Sequence, residues 1–190
     1  MGMDRFDEAF EQVPRANFLP DEVKHQADWD MALPIGYGQT NSQPSTVRWM
    51  LEWLDPQPGD KILDVGSGSG WTSALLANLV VPQGKVFAVE KVPELVEFGR
   101  ENCERLGVRN VSFYDAGEVF GMPAFAPYDR ILVSAAAAKL PEELLRQLKI
   151  PGRLVIPVGH DIHVIDKTGE NDFENDVKRG FVFVPLVAQR

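Results

Sequence analysis

Apolar and polar positions change rhythm several times along the chain. Between Asp4 and Lys24, Phe6, Phe10 and Val13 fall near helical spacing in a polar, acidic stretch, which predicts a short amphipathic helix and then turns at Pro14 and Pro20. Residues 33–44 are dense in Gly, Pro and small polar side chains and read as a loop rather than regular structure. Pro44 and Ser45 open a helix through Trp49, Met50 and Trp53, closed by Pro56 and Pro58-Gly59. Short apolar runs then alternate with helical segments. Strands are predicted at Lys61 to Val65, Lys85 to Glu90, Val111 to Tyr114, Tyr128 to Val133 and Arg153 to Pro157. Helices are predicted at Trp71 to Val80, Pro93 to Leu106 and Pro141 to Leu148. This alternation predicts an α/β fold, doubly wound around a mostly parallel sheet with helices on both faces. Two further apolar runs, Ile162 to Ile165 and Phe181 to Leu186, read as an antiparallel C-terminal strand pair, with the polar stretch Lys167 to Arg179 as a long mobile loop between them.

The densest chemical signal is Asp64-Val65-Gly66-Ser67-Gly68-Ser69-Gly70, where the first parallel strand ends and its helix begins. In an open α/β sheet this is the crevice that receives ligands, and glycines let the backbone approach them closely. Glu90, twenty residues beyond Gly70, ends the second strand, where a carboxylate can accept from both hydroxyls of a ribose. Together they predict a pocket for an adenosine-containing cofactor built from Gly66, Ser67, Gly68, Gly70 and Glu90. A dinucleotide fingerprint starting at Gly66 requires Gly or Ala at position 71, and position 71 is Trp. Asp64 has two readings: a buried carboxylate bracing the glycine loop through backbone N–H groups, or a partner for the cofactor's ammonium. Asp115, before Ala116, is either an acceptor for the adenine amine or a turn-forming residue.

Composition narrows the class. The 190 residues, 44% hydrophobic and 25% charged, suit one domain able to hold a core without disulfides or a structural metal. A formal net charge of −9 opposes nucleic-acid binding. It is uneven: residues 1–30 hold eight acids and three bases, whereas residues 31–159 hold fourteen and twelve. Cys103 is the only cysteine, which suits a reducing compartment. The first residues are acidic and lack the apolar stretch of a secretory signal, and no run is long enough to span a bilayer. A cytoplasmic protein without membrane contact is expected. His25, His160 and His163 are scattered, so no metal is expected.

Leu33-Pro34-Ile35-Gly36-Tyr37-Gly38-Gln39-Thr40-Asn41-Ser42-Gln43-Pro44 resembles the signature segment of protein-L-isoaspartate O-methyltransferases, and the glycine loop resembles the first motif of class I S-adenosylmethionine-dependent methyltransferases. The resemblance extends to Val13-Pro14-Arg15, Phe18-Leu19-Pro20, Ala126-Pro127-Tyr128-Asp129, Ser134-Ala135-Ala136-Ala137, Gly152 to Gly159 and Phe183-Val184-Pro185-Leu186, covering nearly the whole chain. It implies a Rossmann-like sheet of seven strands in one domain. Residues 1–58 would form an N-terminal extension and active-site loop, 59–159 the cofactor-binding core and 160–190 the C-terminal strands. It further implies S-adenosylmethionine as cofactor, with Ala116 among its contacts, and methylation of the α-carboxyl of L-isoaspartyl residues in damaged proteins; separately, a monomer is expected. Ser42 and Thr40 match the family's active-site positions, and Gln39, Asn41 and Gln43 flank them as substrate-binding candidates.

Ser42 also has a structural reading, as the N-cap of the helix at Pro44, and Thr40 has the same pair of readings. Neither is read as a covalent nucleophile, because no histidine sits where it would activate one. Two departures from the family pattern stand out: Asn41 replaces an apolar residue, and Tyr114-Asp115-Ala116 replaces a Gly-Asp-Gly. They keep two other readings in play, a different small-molecule or protein carboxylate as acceptor and a non-catalytic relative that kept the fold.

Overall fold

The computed structural model describes residues 2–187; Met1 and residues 188–190, which close the single domain read from sequence, lie outside the described residues. Asp4 caps α1 (Arg5–Gln12) by accepting from the N–H groups of Phe6 and Asp7, both at 2.9 Å. The stretch expected to be irregular contains a small hairpin, β1 (Leu33–Gly36) with β2 (Gln39–Asn41), turning through Tyr37 and Gly38 at φ of 55° and 70°. Two successive left-handed residues fit the right-handed twist of a two-residue hairpin. Helix α2 (Pro44–Leu54) follows, with Pro44 in its first turn and a left-handed Asp55 at its end.

The main sheet alternates as expected: β3 (Lys61–Val65), α3 (Trp71–Leu79), β4 (Lys85–Glu90), α4 (Pro93–Arg105), β5 (Val111–Asp115), β6 (Tyr128–Val133), α5 (Glu142–Arg146), β7 (Leu148–Val158), β8 (Asp161–Lys167) and β9 (Phe173–Arg179). Its order is β5-β4-β3-β6-β7-β8-β9; β5 through β7 run parallel, β8 is antiparallel to β7, and β9 is antiparallel to β8. Successive side chains point to opposite faces, so Ile62 joins the core beneath α1 to α4 while Leu63 joins the one on the far side. Helices cover the two faces unequally. The second face is closed by the five-residue α5, by Phe120, Met122 and Phe125 from the β5–β6 connection, and by Leu186.

The C-terminal region departs from expectation. The polar stretch expected as a mobile loop supplies the edge strand β9, in register with β8 from Asp161↔Arg179 to Lys167↔Phe173, and only residues 168–172 connect them. Residues Phe181 to Leu186, expected as a strand, instead cross back over the sheet's carboxyl end. Val184 O accepts from Ala136 N at 2.7 Å and Leu186 N donates to Ala136 O at 2.8 Å. The N-terminal extension, which carries the expected short helix, packs onto the body: Ala9, Val13, Phe18 and Leu19 are buried. Arg48 of α2 pins α1 through Asp4 and Asp7 at 2.6 and 2.9 Å.

The turn between β3 and α3 is held from beneath. Asp64 is fully buried and accepts from Ser73 Oγ of α3 at 2.5 Å, while its Oδ1 has no partner. It is the buried brace of the first reading, but it works through the Ser73 hydroxyl rather than loop N–H groups, and it does not line the cavity above. Burial pushes its pKa up to about 7, the Glu90 charge adds to the rise, and the Ser73 bond opposes it. At Gly70, φ is +86°, and an added Cβ would sit 3.0 Å from the Gly99 backbone of α4.

Two outcomes follow from this packing. Gly70→Ala should lower unfolding free energy by about 2 to 4 kcal/mol in denaturant titration, from left-handed strain and from collision with backbone that cannot yield. Between about pH 4 and 7 the native state holds a proton on Asp64 that the unfolded chain has released, so stability falls as pH rises. Asp64→Asn keeps an acceptor for Ser73 and should remove that slope. Stability measured across this range should show the wild type losing about 1 to 4 kcal/mol relative to the variant.

Candidate active site

A cavity opens at the carboxyl ends of β3, β4 and β6, where the sheet order reverses direction from β3. One wall is the glycine turn. Gly66 N and Ser67 N donate to Val89 O at 2.9 and 3.2 Å, and Asn102 of α4 donates to Ser69 O at 3.0 Å, so the turn is tied to β4 and α4. Gly66 has φ +79°, and an added Cβ there would approach Ala135 and Ser134 on the opposite wall. Val119, Phe120 and Gly121 form an apolar side, and Val184 to Val187 close the rim.

Of the residues read as cofactor contacts, Gly66, Ser67, Gly68, Glu90 and Ala116 line this cavity; Gly70 lies behind them as the cap of α3. Ser67 lines the same wall, and its Oγ is buried without a hydrogen-bond partner. Glu90 is 6% exposed and already accepts three backbone N–H groups: Gly68 on Oε2 at 2.9 Å, and Lys91 and Val92 on Oε1 at 2.8 and 3.1 Å. A carboxylate has about four acceptor positions. Three of these positions are thus already taken, which the sequence did not foretell, and one is left for a ligand hydroxyl. Asp115, exposed at the end of β5, stands outside the wall, whereas Ala116 N donates to Glu90 O at 2.8 Å.

A second cavity lies beside the first, lined by Ala32, Gln43, Thr46, Val182 and Phe183. Thr40, Ser42, Ser134 and Val184 belong to both and form the partition between them. Gln39 and Asn41 line the first cavity only, and Gln43 the second only. The Ser42 hydroxyl does not cap α2. The cap is Gln43, without a side-chain bond, and the first free helix N–H, on Ser45, is taken by Asp30 Oδ1 at 2.9 Å. Gln43 Nε2 donates to the other Asp30 oxygen at 3.0 Å, and these bonds hold the Asp30 carboxyl below its ordinary pKa.

Asn41 is 4% exposed with both ends of its amide engaged. Oδ1 accepts from Arg15 Nε at 2.7 Å and Nδ2 donates to Ser69 Oγ at 3.1 Å. It couples the hairpin to the glycine turn, a structural role beside its reading as a substrate contact. Arg15 and Ser69, which sequence reasoning assigned no role, complete this link. Arg15 carries only the short Val13-Pro14-Arg15 signal, and its partners are 12 to 27 residues away. Ser134 and the Val182 to Val187 segment were also missed as walls, because their position depends on how the chain returns across the sheet.

Among the described residues no helix is long and apolar enough to cross a membrane. The family model for protein-L-isoaspartate(D-aspartate) O-methyltransferase matches residues 1–190. The protein-L-isoaspartate O-methyltransferase of Aeropyrum pernix is 48% identical over 187 residues, covering 96% of this chain and 72% of the relative. That of Methanopyrus kandleri is 44% identical over 190 residues, covering 97% and 84%. Among solved structures, a protein-L-isoaspartate O-methyltransferase superposes with a TM-score of 0.88 at 28% identity; 98% of this chain is matched, and it spans 62% of that longer one. A Plasmodium falciparum structure described as the same kind of enzyme, in complex with S-adenosyl-L-homocysteine, gives 0.80 at 26% identity, covering 98% of this chain and 92% of that one. With the glycine turn, Glu90 and the Gln39 to Gln43 hairpin arranged around one cleft, the chain belongs to the protein-L-isoaspartate(D-aspartate) O-methyltransferase family.

Proposed function

We propose that this protein methylates the free α-carboxylate of L-isoaspartyl residues in damaged proteins and peptides, with S-adenosylmethionine as methyl donor. One observation carries the reading beyond family membership: two cavities meet at a partition of Thr40, Ser42, Ser134 and Val184, one lined by the glycine turn and the other by Ala32, Gln43, Thr46, Val182 and Phe183, where we place the peptide. The glycine backbone, the unpartnered Ser67 hydroxyl and Glu90 fit the cofactor in the first. Bound there, the cofactor supplies a methyl activated by its sulfonium, to an acceptor already ionised at pH 7 (carboxylate pKa near 4), so no general base is needed.

The chain's own task is then orientation and exclusion of water. Ser42 and Thr40, on the partition, are placed to hold the acceptor carboxylate. Gln39 belongs to the cofactor side and Gln43 to the peptide side. Asp64 acts beneath the turn, and Asp115 lies off the wall. The other acceptor reading drew on the polar Asn41, and that motive weakens because both ends of its amide are engaged. The lone, buried Cys103 suits a reducing compartment, and we place the protein in the cytoplasm, acting as a monomer.

Incubation with methyl-labelled cofactor and an isoaspartyl peptide beside its aspartyl twin should give a base-labile ester on the isoaspartyl peptide alone. Absence of that label overturns the reading, and transfer to small carboxylates with the peptide inert replaces it by the other acceptor class. Ser42→Ala should lower turnover by about tenfold or more, with affinity for S-adenosylhomocysteine almost unchanged. Equal losses in both would make the serine structural.

A further inference from the structure

Arg15 is 6% exposed, and its guanidinium is fully engaged inside the protein. Nε donates to Asn41 Oδ1 at 2.7 Å; Nη1 to the carbonyls of Ala27 and Trp29 at 3.3 and 3.0 Å; Nη2 to those of Met31, Asn41 and Ser42 at 2.7, 3.1 and 2.9 Å. Every acceptor is neutral. Burial pulls the guanidinium's pKa down to about 10; the nearby Asp30 offsets part of that electrostatically, but its two carboxylate oxygens accept from Ser45 and Gln43. A buried cation without an anionic contact is unfavourable unless something else balances it. This one lies directly behind Ser42, on the partition between the two cavities.

Its contacts also have a direction. The carbonyls of Asn41 and Ser42 both accept from it, and a planar trans peptide carries the next N–H on its opposite side. The N–H groups of Ser42 and Gln43 therefore face away from the guanidinium as donors strengthened by polarisation. Charge and donors are arranged for an anion arriving at Ser42.

We propose that Arg15 is a positioning residue that supplies the counter-charge for the substrate carboxylate, acting through the peptide groups of residues 41–43; this rests on the reading of the site as an isoaspartyl carboxyl methyltransferase. Methylation converts an anionic acid into a neutral ester, so the charge that holds the substrate has no hold on the product. Arg15 thereby separates substrate from product and contributes to binding rather than to the chemical step.

The test is calorimetry of the full-length protein saturated with S-adenosylhomocysteine, using an isoaspartyl peptide and the same peptide with its free α-carboxylate replaced by a carboxamide. The wild type should prefer the carboxylate by at least about tenfold. Arg15→Gln should erase most of that preference by weakening the carboxylate peptide alone, and Arg15→Lys should restore part of it. Asn41→Asp keeps an acceptor for Nε while cancelling the charge, and should erase the preference even if Arg15→Gln fails to fold. Equal weakening of both peptides by Arg15→Gln, or an intact preference in Asn41→Asp, overturns the inference. Wild-type protein that methylates isoaspartyl peptide but shows no carboxylate preference also overturns it, whereas failure to bind or methylate that peptide at all overturns the functional reading on which it stands.

Discussion

The site depends on how closely two backbones approach. Gly70 at the start of α3 and Gly99 in the middle of α4 meet with no side chain between them, and Asn102 one turn later holds Ser69 O. Because the helices can approach this closely, the turn after β3 folds tightly against β4 and the cavity opens above it rather than being filled. Asp64 and Ser73 brace the same turn from below, so both sides of it are fixed before any ligand arrives. A preorganised wall of this kind suits a reaction whose main demand is alignment.

The second support comes from the N-terminal forty residues. Trp71, the first residue of α3, donates through Nε1 to Val13 O at 3.1 Å, and the Arg15 guanidinium lies 5.4 Å from its ring centroid. Arg15 also gathers Ala27, Trp29 and Met31, while Asn41 reaches Ser69. The acidic excess of residues 1–30 is therefore not remote from the cleft. Several of these carboxylates are engaged locally: Asp4 and Asp7 share Arg48 with Glu52, Asp21 pairs with Lys24, and Asp30 accepts from Ser45 and Gln43 at the start of α2. Salt screening over about 8 Å limits the reach of the exposed remainder toward an anionic substrate.

Where burial is one-sided or complete, the sequence was legible. Lys61 to Val65, Lys85 to Glu90 and Tyr128 to Val133 appear as strands with the bounds their apolar runs suggested, and the glycine turn sits between strand and helix as its spacing required. What failed to show had a different cause in each case. β9 is exposed along nearly all its length, so no alternation marks it, and only its pairing with β8 makes it a strand. Phe181 to Leu186 is apolar because it lies against Trp49, Trp53 and the sheet's second face, not because it belongs to a ladder. Asn41 looked like a polar intrusion because its partners, Arg15 and Ser69, are far away in sequence. Ser42 looked like a cap, yet the helix that begins at Pro44 as expected has Gln43 in the cap position, and Asp30 takes the Ser45 N–H from outside.

The exposed edge of the sheet has its own consequence. β9 presents Glu174, Asp176, Lys178 and Arg179 along a strand with no further neighbour in the sheet. Charges of both signs there discourage another strand from adding to the ladder. An enzyme that handles damaged proteins meets chains with loosened, extended segments, the species most apt to extend a sheet and aggregate. A margin with mixed charges is of the kind that resists such addition.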